Sequence, residues 1–178
     1  MATTTTPQTG TAGQPKGNWY IVSALVENKP GVLFRVTNLF RARNFNIESI
    51  TVGSTEQQDL SRMTITTNSD EKTVEQLIKQ LRKLIDVVEV KMLDIDNTVY
   101  RELALIKMKA VEPSTRSEII NYATIFRGNI LDIGKENITV EITGSPDKID
   151  AFKNLVEHYG ISQLARTGVL ALQRGLDN

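Results

Sequence analysis

The chain has 178 residues, with 21 Lys and Arg against 21 Asp and Glu, so its formal net charge is zero. Cysteine is absent and His158 is the only histidine, which excludes disulfides, thiolate metal sites, iron–sulfur clusters, a cysteine nucleophile and any multi-histidine metal centre. Balanced charge argues against a nucleic-acid binder that works through bulk electrostatics, and no uninterrupted apolar run exceeds four residues where a bilayer span needs about 20.

Residues 1–18 (MATTTTPQTGTAGQPKGN) hold six Thr, three Gly, two Pro and a single charge, Lys16. That composition buries too little apolar surface to offset ordering, so it reads as a disordered N-terminal tail. The tail lacks the apolar centre of a secretory signal and the arginines of a transit peptide, and the expected location is cytoplasmic. Residues 19–26 (WYIVSALV) are nearly continuously apolar, as in a central strand covered on both faces. Pro30 suits a first helical residue, with Asn28 before it to accept from free amides. Val32, Leu33, Val36, Leu39 and Phe40 then form one helical face. Residues 46–52 and 60–67 read as a hairpin around the polar loop 53–59. Residues 68–70 cap a helix whose stripe is Val74, Leu77, Ile78, Leu81 and Leu84, and residues 86–93 make a fourth strand.

The same order then recurs: a strand at 100–110, a helix at 114–126, a hairpin from 129–133 and 138–143, a helix capped by Ser145 with Pro146 first, and short strands at 161–165 and 169–172. Val74, Leu77 and Leu81 align with Ile149, Phe152 and Val156 at a constant offset of 75, and Phe40-Arg41 aligns with Phe126-Arg127. The expected fold is α+β: two ferredoxin-like βαββαβ domains in tandem, over residues 19–95 and 99–175. The polar stretch 94–98 marks the boundary, too short to hold the halves far apart.

Catalytic patterns fail one by one. Gly128…Gly134-Lys135 imitates a phosphate loop, but the spacing is one residue too long and Glu136 stands where Ser or Thr is required. A G-x-G-x-x-G fingerprint is absent. His158 sits at a predicted helix end, where interaction with the helix dipole accounts for it. Asp94 and Asp96 read as solvated acids between domains rather than cation ligands.

The segment at 27–31 (ENKPG) differs. It joins a buried strand to a helix start, where free amides and the helix dipole suit a carboxylate. Gly31 permits close approach to the backbone, and Asn28 offers both donor and acceptor to a free amino acid. The same residues also make a turn that binds nothing, and local chemistry leaves both readings open.

Glu27-Asn28-Lys29-Pro30-Gly31-Val32-Leu33, followed by NIESITV at 46–52, LSRMTI at 60–65, RELALIK at 101–107, IFRGNILD at 125–132, EITG at 141–144 and ARTG at 165–168, resembles the ACT-domain family of acetolactate synthase (acetohydroxyacid synthase) small regulatory subunits. Asn44 departs from the glycine common before the Phe45-Asn46 pair. The resemblance implies an ACT domain over residues 19–95 and a C-terminal regulatory domain over 99–175. It implies a non-catalytic subunit with no cofactor of its own; thiamine diphosphate, Mg²⁺ and FAD belong to the catalytic subunit. The implied partners are a second copy, paired through the ACT domain, and the catalytic large subunit, with no nucleic acid and no membrane. The implied effector is valine or another branched-chain amino acid. Carried onto this chain, Asn28, Lys29, Pro30, Gly31, Val32 and Leu33 of one subunit hold the amino acid's polar end. Asn46 and Ile47, at the start of the second strand of the other subunit, close the site. Val32, Leu33 and Ile47 supply apolar walls. Three competing readings are a freestanding tandem amino-acid sensor acting on a different enzyme, a ferredoxin-like nucleic-acid binder using exposed strand faces, and a small enzyme on this fold; the second lacks the basic surplus and exposed aromatics it needs, and the third lacks a catalytic constellation.

Overall fold

The structure, a computed structural model, describes residues 19–175, and the tail expected at 1–18 lies outside them. Its first half runs β1 (Trp19–Glu27), α1 (Val32–Ala42), β2 (Ser49–Ser54), β3 (Leu60–Asn68), α2 (Glu71–Leu81) and β4 (Val87–Leu93). Its second half runs β5 (Thr98–Lys109), α3 (Pro113–Ile125), β6 (Asn129–Ile133), β7 (Asn137–Gly144), α4 (Pro146–Val156), a 3₁₀ turn (Glu157–Tyr159), β8 (Ile161–Arg166) and β9 (Leu170–Gln173). The two sheets have the orders β2-β3-β1-β4 and β6-β7-β5-β8, with every neighbouring pair antiparallel. Both domains are therefore ferredoxin-like, as the repeat predicts.

Each sheet buries one face under its two helices. Val22, Ala24 and Val26 of β1 meet Val36, Phe40, Val74, Leu77 and Leu81 in one core. Ala104, Ile106 and Met108 of β5 meet Ile119, Ala123, Ile149, Phe152 and Val156 in the other. The residues aligned at offset 75 are buried in both copies. Asp70 and Ser145 cap α2 and α4 through their side chains, accepting from the amides of Thr73 and Lys148.

β5 is longer than predicted, and its length has a purpose. Residues 102–109 pair with β7 inside the second sheet, while residues 98–101 pair with β9 outside it. The resulting two-stranded ribbon lies against the first domain. Ile21, Leu93, Val169 and Ala171 form a third buried cluster, flanked by Trp19 and Tyr100. This cluster covers the face of β1 away from the helices, which explains why that strand is apolar on both sides. The connection at 94–97 is a turn held by Asp94, whose carboxylate accepts from the Asp96 amide and the Asn97 side chain. Asp94 thus shapes the turn that brings the domains together.

α2 ends at Leu81, so Leu84 of the expected stripe packs on the core from beyond the helix, and two element starts in the first domain also differ from expectation. α1 begins at Val32, not Pro30, with Gly31 in the cap position at φ +88° and no side-chain cap; Asn28 bonds elsewhere. β2 begins at Ser49, so Asn46 and Ile47 precede the ladder. The reason lies at the end of α1. Asn44 adopts φ +56°, and the Phe45 amide folds back to the Phe40 carbonyl at 3.0 Å. This left-handed closure suits Gly or Asn, so the departure at position 44 keeps the conformation.

Candidate functional site

The β1–α1 connection is fastened from below by a pair that no local pattern announces. Arg35, on the first turns of α1, donates to both carboxylate oxygens of Asp86 at 2.5 and 2.7 Å. Asp86 is buried and its backbone oxygen accepts from the Glu27 amide at 2.9 Å. The Arg35 guanidinium holds the Asp86 carboxyl below its ordinary range. On the other side, the Asn28 amide donates to the Asp59 carbonyl at 2.7 Å, and its side chain reaches the Gln58 carbonyl at 3.4 Å. Lys29 pairs with Glu27 at 3.0 Å.

Residues 28–31 are exposed between these anchors. Gly31 occupies the left-handed region, which an ordinary side chain enters at a cost of about 1–2 kcal/mol. Beyond it the uncapped first turn of α1 faces outward, a seat for negative charge. Leu33 is half exposed. Val32 corrects one expectation: its side chain is 3% exposed and belongs to the core, because the spacing 32, 36, 39, 40 turns it inward. Only its backbone is left for a ligand, and its amide lies 3.4 Å from the Lys29 carbonyl.

Residues 28–33 come together, but Asn46 and Ile47 do not join them within one chain. Glu27 lies opposite Leu60 on β3, whereas Ser49 lies opposite Thr66 and Trp19 opposite Asn68. Asn46 and Ile47 therefore stand at the Trp19 end of the sheet and the loop at the Glu27 end, separated by roughly 27 Å of strand at about 3.4 Å per residue. The Asn46 carbonyl accepts from the Thr67 hydroxyl at 2.8 Å, and Ile47 packs on the first core. Between the two ends runs β2. Among the described residues it pairs only with β3, so its outer side is a sheet edge. An apolar hollow of 580 Å³, lined by Ile50, Val52, Gly53, Leu103 and Leu170 among others, adjoins this edge.

A second feature was not visible in the sequence. A cleft of 520 Å³ lies between the domains, with Trp19, Glu48 and Ser49 on one wall and Pro146, Arg166 and Gly168 on the other. Arg166 donates to both oxygens of the buried Glu102 carboxylate at 2.7 Å and to Asp150 at 2.6 Å, contacts that raise its own pKa. The ARTG motif at 165–168 was the one available signal, and its role needed the fold to be read.

The rejected patterns find structural reasons. Gly128 follows α3 and Gly134 lies in the β6–β7 turn, so the glycines flank a strand and do not precede a helix. His158 packs on Tyr159 in the 3₁₀ turn after α4, with ring centroids 3.8 Å apart. Among the described residues, no helix is long and apolar enough to cross a membrane.

Comparisons with known proteins agree with this architecture. Residues 22–89 match the family described as AHAS small subunit-like ACT domain, and residues 101–175 match the small subunit of acetolactate synthase. A relative from Methanothermobacter thermautotrophicus, named probable acetolactate synthase small subunit, is 53% identical over 156 residues, which cover 88% of this chain and 93% of that one. The acetolactate synthase small subunit of Mycolicibacterium smegmatis is 47% identical over 156 residues, covering 88% and 91%. The crystal structure of the acetolactate synthase small subunit from Thermotoga maritima superposes with a TM-score of 0.83 at 45% identity, covering 89% of this chain and 99% of that one. With both domains matched in order and the fold shared along the chain, this protein belongs to the acetolactate synthase small-subunit family.

Proposed function

We propose that the chain is a non-catalytic regulatory subunit: it binds and activates the thiamine-diphosphate-dependent catalytic subunit in the cytoplasm and makes it sensitive to valine. The observation that carries the effector reading is the placement of the two half-sites at opposite ends of one sheet whose edge, β2, is open. Pairing two β2 edges antiparallel about a two-fold axis sets the beginning of one strand beside the end of the other. Asn46 and Ile47 of one copy then approach the loop 28–31 of its partner, twice per dimer. The amides around Gly31 meet the amino acid's carboxylate, Asn28 and Asn46 meet its polar atoms, and Leu33 with Ile47 flanks the aliphatic side chain. Such a seat distinguishes aliphatic side chains weakly, since one methylene is worth about 1–3 kcal/mol.

The effector acts only through its different affinity for two arrangements of the dimer, because equal affinity shifts nothing. The test is calorimetric titration with valine, leucine and isoleucine, followed by assay with the catalytic subunit. Gly31→Asp puts a carboxylate where the ligand's own should sit, in a conformation that Asp tolerates better than most residues. The variant should still activate the enzyme, with valine inhibition abolished. The chain alone should make no acetolactate from pyruvate. Full valine sensitivity in the variant would refute the seat, and absence of any effect on the catalytic subunit would favour the freestanding sensor.

A further inference from the structure

We infer that the contact between β2 and the Gly168-Val169 backbone carries the effector response from the first domain to the second, with Ser49, Thr51 and Gly168 as its positioning residues; the inference rests on the effector seat proposed above. Both backbone groups of Val169 are held by alternate residues of β2. Its amide donates to the Ser49 hydroxyl at 3.3 Å, and its carbonyl accepts from the Thr51 hydroxyl at 2.7 Å. The Ser49 hydroxyl is also 2.7 Å from that of Thr66, which is buried, so its position is fixed from the sheet side.

Gly168 makes the approach possible. It is buried at φ +81°, and a Cβ there would stand 3.0 Å from the Ser49 Cβ and 3.3 Å from its hydroxyl. A left-handed backbone and a tight approach thus both favour glycine at one point of contact between domains. On the seat side, Ser49 is only two residues from Ile47. The intervening Glu48 amide is tied to the Thr66 carbonyl at 2.9 Å. A shift at residues 46–47 is therefore handed along an extended segment to Ser49.

The covalent route does not touch this edge. The connection at 94–97 leaves from β4, at the opposite margin of the β2-β3-β1-β4 sheet. Val169 continues into β9, which pairs with β5, the central strand of the second domain. Edge strand, Val169, β9 and β5 form one continuous set of bonded neighbours.

The test uses the holoenzyme reconstituted with the catalytic subunit, with valine as the probe. Gly168→Ala should bind valine by calorimetry as the parent does and still activate the catalytic subunit. Its valine inhibition should require at least about 5-fold more effector, the lower end of ordinary allosteric coupling. Gly175→Ala is the control: Gly175 has φ +78° with nothing within 4 Å of a Cβ, so it adds strain without crowding. Its inhibition should be unchanged. The pair Ser49→Ala with Thr51→Val removes both hydroxyls without adding a contact at Gly168 and should uncouple in the same way, while Thr51→Ser retains the response. Parental inhibition in both uncoupling variants would overturn the inference while leaving the seat intact. Loss of valine binding in both would overturn it too, by making the contact part of the seat's own fold. A parent chain that binds no valine would remove the effector reading first, and this inference with it.

Discussion

Arg35 and Asp86 lie 51 residues apart, yet their paired hydrogen bonds decide where the first helix and its preceding loop sit. Because Arg35 keeps the Asp86 carboxyl below its ordinary range, the folded chain holds that carboxyl deprotonated more strongly than the unfolded chain does. The stability this contributes is complete above the unfolded carboxylate pKa of about 3.9 and is lost as pH falls through the depressed folded value. Asp86→Asn should lower the melting temperature at pH 7, and the gap between variant and parent should narrow progressively as the pH is lowered below about 3.9. A gap that stayed constant would show that the charge is not its source. Asn44 and Gly31 illustrate the other residue-scale control, which is backbone conformation. Each places a left-handed residue beside α1, one closing the helix and one opening it.

At the scale of elements, β2 bears the most. One edge is proposed to meet a second copy, while two of its hydroxyls hold the other domain. Val52 is 46% exposed beside the apolar hollow. Val52→Lys introduces the kind of charge that natural sheets use to block edge pairing. It should convert a dimer to a monomer by light scattering and abolish valine binding at the same time, since neither half-site suffices alone. A monomer that bound valine normally would contradict a shared site. The elements themselves were mostly legible because their signals are local: the caps at Asp70 and Ser145, the stripe at 74, 77 and 81, and the alternation of Ile106 and Met108. The start of α1 was not, because Asn28 and Pro30 imitate a helix N-terminus too early, while Gly31 and the remote Asp86 set the true one. The segment 27–31 stands out by its chemistry, whereas Val32, Leu33 and the paired use of Asn46 and Ile47 come from resemblance. The join between Ser49 and Val169 was illegible, since serine and glycine carry no pattern that could link positions 120 residues apart.

At the scale of the whole molecule, the cluster of Ile21, Leu93, Val169 and Ala171 makes two domains behave as one. Unfolding by heat or urea should be a single cooperative transition, since the interface is apolar and buried. Val169→Asp would bury an unpaired carboxylate there, a cost of several kcal/mol by ordinary desolvation. It should split the calorimetric peak into two, with the second core, around Phe152, still melting as a unit. A single undivided peak in that variant would show that other contacts join the halves.

The hinge between the halves is not a single strand. Residues 98–101 run beside residues 170–173, and the Arg174 amide closes the pair on the Asn97 carbonyl at 2.7 Å. Two strands bonded side by side resist being pulled open or sheared, while rotation about their common axis is the deformation that β-ribbons accommodate most readily. A rotation of one domain against the other about this ribbon would be felt first at Val169, whose amide and carbonyl are both held by hydroxyls of β2.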